Sequence, residues 1–167
     1  MLLQILLNTP LYVYWIFFSL LFVGISQLKT REVGIKRALI IPIVLVILSV
    51  LGLLSDFGVN FISTPFWLIG IILATLLGAI IKKKKEIIFH SELKTFTIAG
   101  SSVPLIMMML LFFVKYIVGA VTAMELEILH SSIFISTFSL LYGLFFGTYL
   151  LRFNNLIKKI KRNTSKL

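Results

Sequence analysis

The sequence predicts an all-α integral membrane bundle of five transmembrane helices, with the N-terminus outside and the C-terminus cytoplasmic. Composition is the first reason for this prediction. Of the 167 residues, 59% are hydrophobic and 13% are charged, and the mean hydropathy is +1.09. A soluble domain is typically about half apolar and about one quarter charged, so lipid is the expected solvent for most of this chain.

Uncharged blocks are the second observation, and they set the number of helices. Five blocks lack Asp, Glu, Lys and Arg, and each approaches or exceeds the ~18 apolar residues that mark a transmembrane helix. They lie at 1–28, 38–55, 57–81, 95–114 and 128–151. The predicted helices occupy 10–28, 37–55, 65–81, 103–123 and 131–151. These helices form a single transmembrane domain over 1–155, and a basic cytoplasmic tail follows over 156–167.

The placement of positive charge is the third observation, and it sets the orientation. Fifteen of the sixteen lysines and arginines lie at 29–37, 82–94 or 152–166, which are the first predicted loop, the third predicted loop and the C-terminal tail with the residues directly beside them. The N-terminal segment and the other two predicted loops contain none. Because the cytoplasmic loops of membrane proteins carry an excess of Lys and Arg, these three segments are predicted to be cytoplasmic. We expect a multi-pass protein of a bacterial inner (plasma) membrane.

The same charges indicate a class of partner. A net charge of +10 would suggest nucleic acid for a soluble protein. Here the clusters KKKK at 82–85 and KKIKR at 158–162 adjoin predicted helices. Basic clusters in such positions orient the protein and bind anionic lipid head groups. The expected partner is therefore the anionic surface of the cytoplasmic leaflet, and nucleic acid is not expected.

Two Thr-Pro pairs and the segment 86–102 indicate local structure. The pairs Thr9-Pro10 and Thr64-Pro65 precede aromatic residues, which predicts that each threonine caps a helix whose first position is proline. Residues 86–102 leave two alternatives open. They form either an interfacial helix on the inner leaflet or the start of the fourth transmembrane helix.

The fifth predicted helix carries small residues on one face, separated by steps of four or three: Ser132, Ser136, Ser139, Gly143 and Gly147. The third predicted helix has a matching row, made of Gly70, Ala74 and Gly78. Small residues allow helices to approach closely in lipid. We therefore favour packing of the fifth helix on the third, and the alternatives are a homodimer face or the polar lining of a pathway.

Lys115 is the one basic residue that orientation does not explain. It lies about 12 Å from the outer end of the fourth predicted helix, and a lysine at the centre of a bilayer costs ~2.5–3.5 kcal/mol. Its candidate partners are the outer acids Asp56, Glu125 and Glu127. Lys115, Tyr116, Asp56 and Glu125 make up a candidate intramembrane polar site. We favour a structural lysine that snorkels or forms a salt bridge over an ion or substrate site.

Residues suited to catalysis or cofactor binding are sparse. The chain has no cysteine, and its two histidines, His90 and His130, are predicted to lie on opposite sides of the membrane. No nucleophile elbow, phosphate-binding loop or HExxH motif occurs. We therefore expect no enzymatic activity, no catalytic residue, no metal and no cofactor.

Three stretches of the chain resemble a known group of proteins. They read TPLYVYWIFFSLLFVGISQLKTREVGIKRALIIP at 9–42, SSVPLIMMMLLFFVKYIVGA at 101–120 and YGLFFGTYLLR at 142–152. They are similar to an uncharacterised family of small polytopic bacterial inner-membrane proteins, which has a domain of unknown function. The resemblance implies the location and the number of helices, and it implies no activity.

Two function hypotheses follow. The first is a small membrane protein that acts through helix–helix association, either with itself as a homo-oligomer or with a membrane-protein partner. The alternative is a small transporter or channel component that uses Lys115 and the polar face of the fifth helix. An enzyme of lipid or cofactor metabolism has no set of residues to support it.

Overall fold

Five α-helices account for most of the protein. The computed structural model describes residues 9–80, 87–90 and 95–164. In chain order the helices are α1 (Leu11–Ile25), α2 (Ile35–Asp56), α3 (Ser63–Ile80), α4 (Val103–Ala123) and α5 (Ser132–Thr164). A 3₁₀ turn, Glu127–His130, precedes α5. The long apolar blocks of the sequence thus form helices, as their length and composition predict.

Three short strands correct the prediction of an all-α fold. They are β1 (Arg31–Gly34), β2 (Ile87–His90) and β3 (Thr95–Ile98), and they form an antiparallel sheet in the order β1-β3-β2. In its register, Val33 of β1 and Phe89 of β2 both lie opposite Phe96 of β3. The protein is therefore mostly helical, with a small sheet built from its first and third connections.

Both alternatives for residues 86–102 are wrong wherever the structure describes that segment. The segment is neither an interfacial helix nor the start of the fourth transmembrane helix, because β2 and β3 occupy it and α4 begins at Val103. The sequence TFTI at 95–98 alternates β-branched polar and apolar residues, which is the period-two pattern of a strand. Phe96 is fully buried as a result.

The sheet packs against the last part of α5. Phe96, Ala38 at the start of α2 and Leu156 of α5 form a buried apolar cluster. Leu156 is 1% exposed although it lies in the predicted tail, because α5 continues without a break from Ser132 to Thr164. Neither glycine nor proline occurs between 148 and 164, so nothing ends the helix at the predicted residue 151. We call the end of the molecule that contains the three strands the sheet end. The opposite end, which contains the 3₁₀ turn Glu127–His130, is the far end.

Three helices are long and apolar enough to cross a membrane. They are Ile35–Asp56, Val103–Ala123 and the part of α5 from Ser132 to Lys158. α1 and the apolar part of α3 are shorter, at Leu11–Ile25 and Ser63–Gly78. The 15 residues of α1 are about 22 Å long at 1.5 Å per residue, against a hydrocarbon core of ~30 Å. A five-helix membrane topology therefore stays a prediction.

Helix pairing divides the bundle into two parts. α5 is the central element, and both α2 and α3 pack along it. α1 packs mainly on α4. The main apolar core combines α2, α4 and α5, with Leu45, Met108, Val114 and Phe145 among its members. α1 therefore stands beside the core rather than inside it.

The two predicted threonine caps are wrong. Pro10, not Thr9, is the N-cap of α1, and no side chain caps this helix. The Thr9 hydroxyl instead lies 2.9 Å from the Tyr116 hydroxyl of α4. α3 begins at Ser63, and Asn60 Oδ1 accepts hydrogen bonds from the backbone N–H of Ile62 and of Ser63. Asparagine is also a preferred capping residue, so a residue four positions earlier has the role expected of Thr64.

Candidate functional site

Lys115 forms a salt bridge with Asp56, which lies at the last position of α2. The Nζ atom of Lys115 is 2.7 Å from Asp56 Oδ1 and donates a second hydrogen bond, of 2.9 Å, to the Ser55 hydroxyl. A hydrogen bond to a charged group contributes ~1.5–3 kcal/mol. If α4 crosses a membrane, as its length and composition allow, two such bonds are of the size needed to offset the ~2.5–3.5 kcal/mol cost of a lysine in the bilayer core.

Tyr142 of α5 completes the polar site. Its hydroxyl donates a 2.6 Å hydrogen bond to Asp56 Oδ2, the carboxylate oxygen that Lys115 does not contact. Its ring also lies beside the ammonium, with the Lys115 Nζ atom 6.0 Å from the ring centroid. This distance is at the outer limit of a cation–π interaction. Asp56 thus joins three helices, because Lys115 belongs to α4 and Tyr142 to α5.

The exposure of the two charged partners is unequal. The Asp56 side chain is 12% exposed, whereas the Lys115 side chain is 42% exposed. Tyr142 is fully buried and covers one oxygen of the carboxylate. The surface of the site is therefore mainly ammonium, although the pair as a whole is neutral.

This exposed ammonium faces a large groove. A cavity of about 870 Å³ lies between α1, α2 and α4, and both Lys115 and Asp56 line it. Between the ion pair and the sheet end, the walls of the groove are apolar: Ile16 and Leu20 from α1, Leu45 and Leu48 from α2, and Met108 and Leu111 from α4. The groove exists because α1 packs on α4 and stands away from α2. Ligand pockets typically enclose ~300–1,000 Å³, so this one is large enough for a small molecule.

The far end of the groove has a second polar contact and open space. The hydroxyls of Thr9 and Tyr116 lie 2.9 Å apart, and the Tyr116 ring stacks on Phe112 at 6.1 Å between ring centroids. Gly119 lies one helical turn above Lys115, and a Cβ atom added there would meet no atom within 4 Å. The groove is therefore unobstructed at Gly119, beside the ammonium.

The remaining predicted acids do not join the site. Glu125 follows α4 as an exposed residue with a φ of 50°, and Glu127 begins the exposed 3₁₀ turn. In residues 9–80, 87–90 and 95–164, the pair Lys115–Asp56 is the one ion pair. Of the four predicted polar-site residues, the structure thus places Lys115, Tyr116 and Asp56 on the groove, and Glu125 apart from it.

The predicted small-residue faces of α3 and α5 lie against each other. A Cβ atom added at Gly70 would be 3.0 Å from the Gly143 Cα atom, and one added at Gly147 would be 2.7 Å from the Ala74 Cβ atom. Ser139 is fully buried, while Ser132 lies exposed at the start of α5 and Ser136 half-buried one turn later. Gly78, near the end of α3, meets only the Leu151 side chain.

Because α3 packs on the small-residue row of α5, neither function hypothesis can use that row. α3 covers Gly143 and Gly147, so this face is not available to a second copy of the chain. The small-residue row also does not line the groove that Lys115 faces. Association with a partner would have to use another face, and transport through the groove would not use this one.

Tyr142 belongs to the polar site although the sequence analysis does not predict it there. It is adjacent to Gly143, within the stretch that carries the small-residue row. A tyrosine in the middle of an apolar helix is itself a signal, because a buried phenol normally needs a hydrogen-bond partner. A buried tyrosine in such a helix predicts a hydrogen-bond acceptor on a neighbouring helix, but it does not identify Asp56 as that acceptor.

The two histidines lie at opposite ends of the molecule, and their location on opposite sides of a membrane stays a prediction. His90 is the last residue of β2 at the sheet end, and His130 ends the 3₁₀ turn at the far end. In the described part of the chain, no group of three His, Asp or Glu side chains is placed to hold a metal ion.

Comparison with known proteins identifies a family. The model of a family of unknown function, DUF6622, matches residues 1–166, so the chain belongs to that family. The resemblance to an uncharacterised family is thereby confirmed, while a bacterial inner-membrane location stays a prediction. No curated protein and no solved structure matches the chain.

Proposed function

We propose that this DUF6622 member is a non-enzymatic polytopic membrane protein that binds a single-tailed amphiphile in the groove between α1, α2 and α4. The observation that carries the proposal is a half-exposed lysine above an apolar cavity of about 870 Å³. In this arrangement Lys115 binds the head group and the apolar walls bind the tail. The proposal develops the hypothesis of a transporter component and leaves out the polar face of α5.

Charge complementarity supports a head group with hydrogen-bond-accepting oxygens. The ammonium has three N–H donors, of which Ser55 and Asp56 receive two. Asp56 is largely covered, so its charge holds the lysine while exposing little negative surface. A carboxylate or phosphate head can therefore accept a bond from Lys115, whereas a quaternary ammonium head can accept none.

The apolar walls support a single aliphatic tail. The groove follows α1 from Pro10 to Leu20, which is about 15 Å along a helix at 1.5 Å per residue. At its end nearest the sheet, the groove is bounded by Met108, which is 2% exposed and belongs to the main core. Burial of an aliphatic chain in such a groove contributes ~0.8 kcal/mol per methylene group.

We further propose that five helices cross a bacterial inner membrane, with the N-terminus outside and the basic sheet end in the cytoplasm. The position of fifteen of the sixteen basic residues supports this orientation. In it, Lys115 and Asp56 lie near the outer leaflet, and the amphiphile enters from that leaflet. The exposed apolar surfaces of α1 and α3 support contact of both helices with lipid.

Photolabelling in nanodiscs tests the binding proposal. A fatty acid bearing a diazirine on its tail is added to the full-length protein in zwitterionic lipid, and labelled residues are mapped by mass spectrometry. We expect saturable labelling at Leu20, Leu48 and Met108. The variant Gly119→Phe should abolish it, because a ring at this open position fills the groove beside Lys115. The matched control Leu76→Phe adds a ring to an exposed surface of α3 and should leave it unchanged.

The head group is tested separately. Lys115→Met should weaken saturable labelling by the fatty acid about tenfold or more, the equivalent of one charge-assisted hydrogen bond. A probe with the same tail and a trimethylammonium head should label the groove poorly in both proteins. Labelling that is no more saturable in the groove than on α3, or that survives Gly119→Phe, would overturn the proposal.

A further inference from the structure

At the sheet end, Arg31 of β1 and Arg152 of α5 lie close enough for their charges to interact. Arg31 of β1 lies opposite Ile98 of β3, and Val33 lies opposite Phe96. Directly opposite residues of an antiparallel pair share a face of the sheet. Arg31 is therefore on the same face as Phe96, which is the face that packs against Leu156 of α5.

Arg152 lies on the side of α5 that packs against this face. It precedes Leu156 by four residues, and residues four apart share one side of an α-helix. Both arginines are partly buried, and their charges lie close enough to repel each other. Burial also lowers the pKa of Arg31 below its ordinary value, but an arginine stays charged at neutral pH.

Within residues 9–80, 87–90 and 95–164, no carboxylate forms an ion pair with either arginine. Glu32 is the adjacent acid in β1, and its side chain lies on the other face of the sheet because successive strand residues alternate. The contact described for Arg31 is a 3.2 Å hydrogen bond that its Nη1 atom donates to the neutral Ser26 hydroxyl. Among the described residues, two like charges thus share an apolar boundary without a carboxylate partner.

A third polar group lies about one turn before Arg152 in α5. Tyr149 is 2% exposed, its hydroxyl has no hydrogen-bond partner in the described part of the chain, and it interacts electrostatically with Arg152. A buried hydroxyl without a partner costs ~1–3 kcal/mol. Arginine pairs and a phenol together are donors suited to the oxygens of a phosphate group, which guanidinium binds in bidentate geometry.

We infer that Arg31 and Arg152, with Tyr149 nearby, bind a phosphate group at the sheet end of the protein. The site is independent of the groove, which lies between other residues and opens toward the far end. Two sources supply the same chemistry: the phosphodiester of an anionic lipid and a soluble phosphate compound. Arg152 directly follows the last residue of the fifth predicted span, which is the level of lipid head groups.

Native mass spectrometry of the full-length protein tests this inference. The protein is released from detergent micelles that contain increasing phosphatidylglycerol, and the retained lipid is counted for the wild type and for Arg31→Gln/Arg152→Gln. We expect the wild type to retain one phosphatidylglycerol with high affinity. The double variant should bind it at least about tenfold more weakly, the equivalent of one charge-assisted hydrogen bond.

A matched variant separates a specific site from general attraction. Lys36→Gln/Arg37→Gln removes two exposed positive charges from the same end and should leave the retained lipid unchanged. Equal weakening in both double variants would overturn the inference, as would the absence of tight binding in the wild type. Arg31→Lys/Arg152→Lys keeps the charge and should bind with intermediate affinity, which excludes loss of folding as the cause.

Competition identifies the source of the phosphate. Inorganic phosphate is added to the complex of the protein with phosphatidylglycerol, at an ionic strength matched with chloride. Retention of the lipid identifies an anionic head group as the ligand, and displacement identifies a soluble phosphate compound. Displacement by chloride to the same degree as by phosphate would contradict a phosphate site.

Discussion

At the scale of single residues, Asp56 stabilises the contact of three helices through its two carboxylate oxygens. Oδ1 accepts hydrogen bonds from Lys115 and Ser55, and Oδ2 accepts one from Tyr142. A carboxylate at the end of an apolar helix is costly unless such bonds compensate it. The structural role of Lys115 therefore follows from Asp56: each of the two charges makes the other tolerable.

Tyr142→Phe tests this network without changing a charge. Removal of the hydroxyl leaves Asp56 Oδ2 without its 2.6 Å donor, and we expect the free energy of unfolding to fall by about 1.5–3 kcal/mol. The measurement is reversible unfolding in mixed micelles. Tyr12→Phe is the matched control, because Tyr12 is 64% exposed and the same hydroxyl is removed at a surface position. Equal losses in the two variants would contradict a network centred on Asp56.

At the scale of elements, close backbone approach stabilises the pair α3–α5. Gly70 and Gly143 face each other, and a Cβ atom added at Gly143 would collide with the carbonyl of Trp67. Without a hydrophobic driving force between helices in lipid, contact at this distance supplies the van der Waals attraction that holds them together. The row of small residues therefore stabilises the fold.

Gly143→Ala is expected to destabilise the protein by about 1–3 kcal/mol, the range for overpacking. The atom that its methyl group meets belongs to the backbone of α3 and cannot rotate away. Gly119→Ala adds the same group to another helix, where nothing lies within 4 Å, and should be neutral or slightly stabilising. Unfolding in mixed micelles measures both variants, and similar stabilities for the two would show that α3 and α5 do not pack in this way.

The elements also differ in how well the sequence predicts them. α4 has the predicted ends, and those of α2 differ by two residues or fewer, because hydrophobic length is a local property of the chain. The sheet was missed because β1 and β3 are about 65 residues apart, and strand pairing depends on contacts that no local pattern displays. Likewise, Lys115 is visible in the sequence as an isolated charge, whereas its bond to Asp56 and the contribution of Tyr142 depend on how the helices are rotated.

At the scale of the whole molecule, chemistry differs between the two ends. The sheet end holds Arg31, Arg152 and the start of α2, with its exposed Lys36 and Arg37. The far end holds Asp56, Glu125 and Glu127 and the opening of the groove. An arrangement of this kind orients a protein in a membrane, since positive charges favour the cytoplasmic face. It would place the phosphate site and the groove on opposite leaflets.

Cysteine labelling in intact cells tests this orientation, and the chain is suited to it because it contains no native cysteine. Single cysteines replace four exposed residues at the helix connections and in the last part of α5: Glu32, Phe61, Ile128 and Lys161. With five transmembrane helices and the N-terminus outside, a membrane-impermeant maleimide should label Phe61→Cys and Ile128→Cys. Glu32→Cys and Lys161→Cys should react only after the cells are permeabilised.

The sheet limits the alternatives to this topology. β1 pairs with β3, so both strands lie on one side of the bilayer, and α2 and α3 between them cross it together or not at all. The four variants do not test whether the short helix α1 crosses. Leu11→Cys, at the 79% exposed first residue of α1, should react with the impermeant maleimide in intact cells if α1 crosses. Reaction only after permeabilisation would contradict the five-helix topology and, because α1 forms one wall of the groove, would place that wall at the surface of the bilayer.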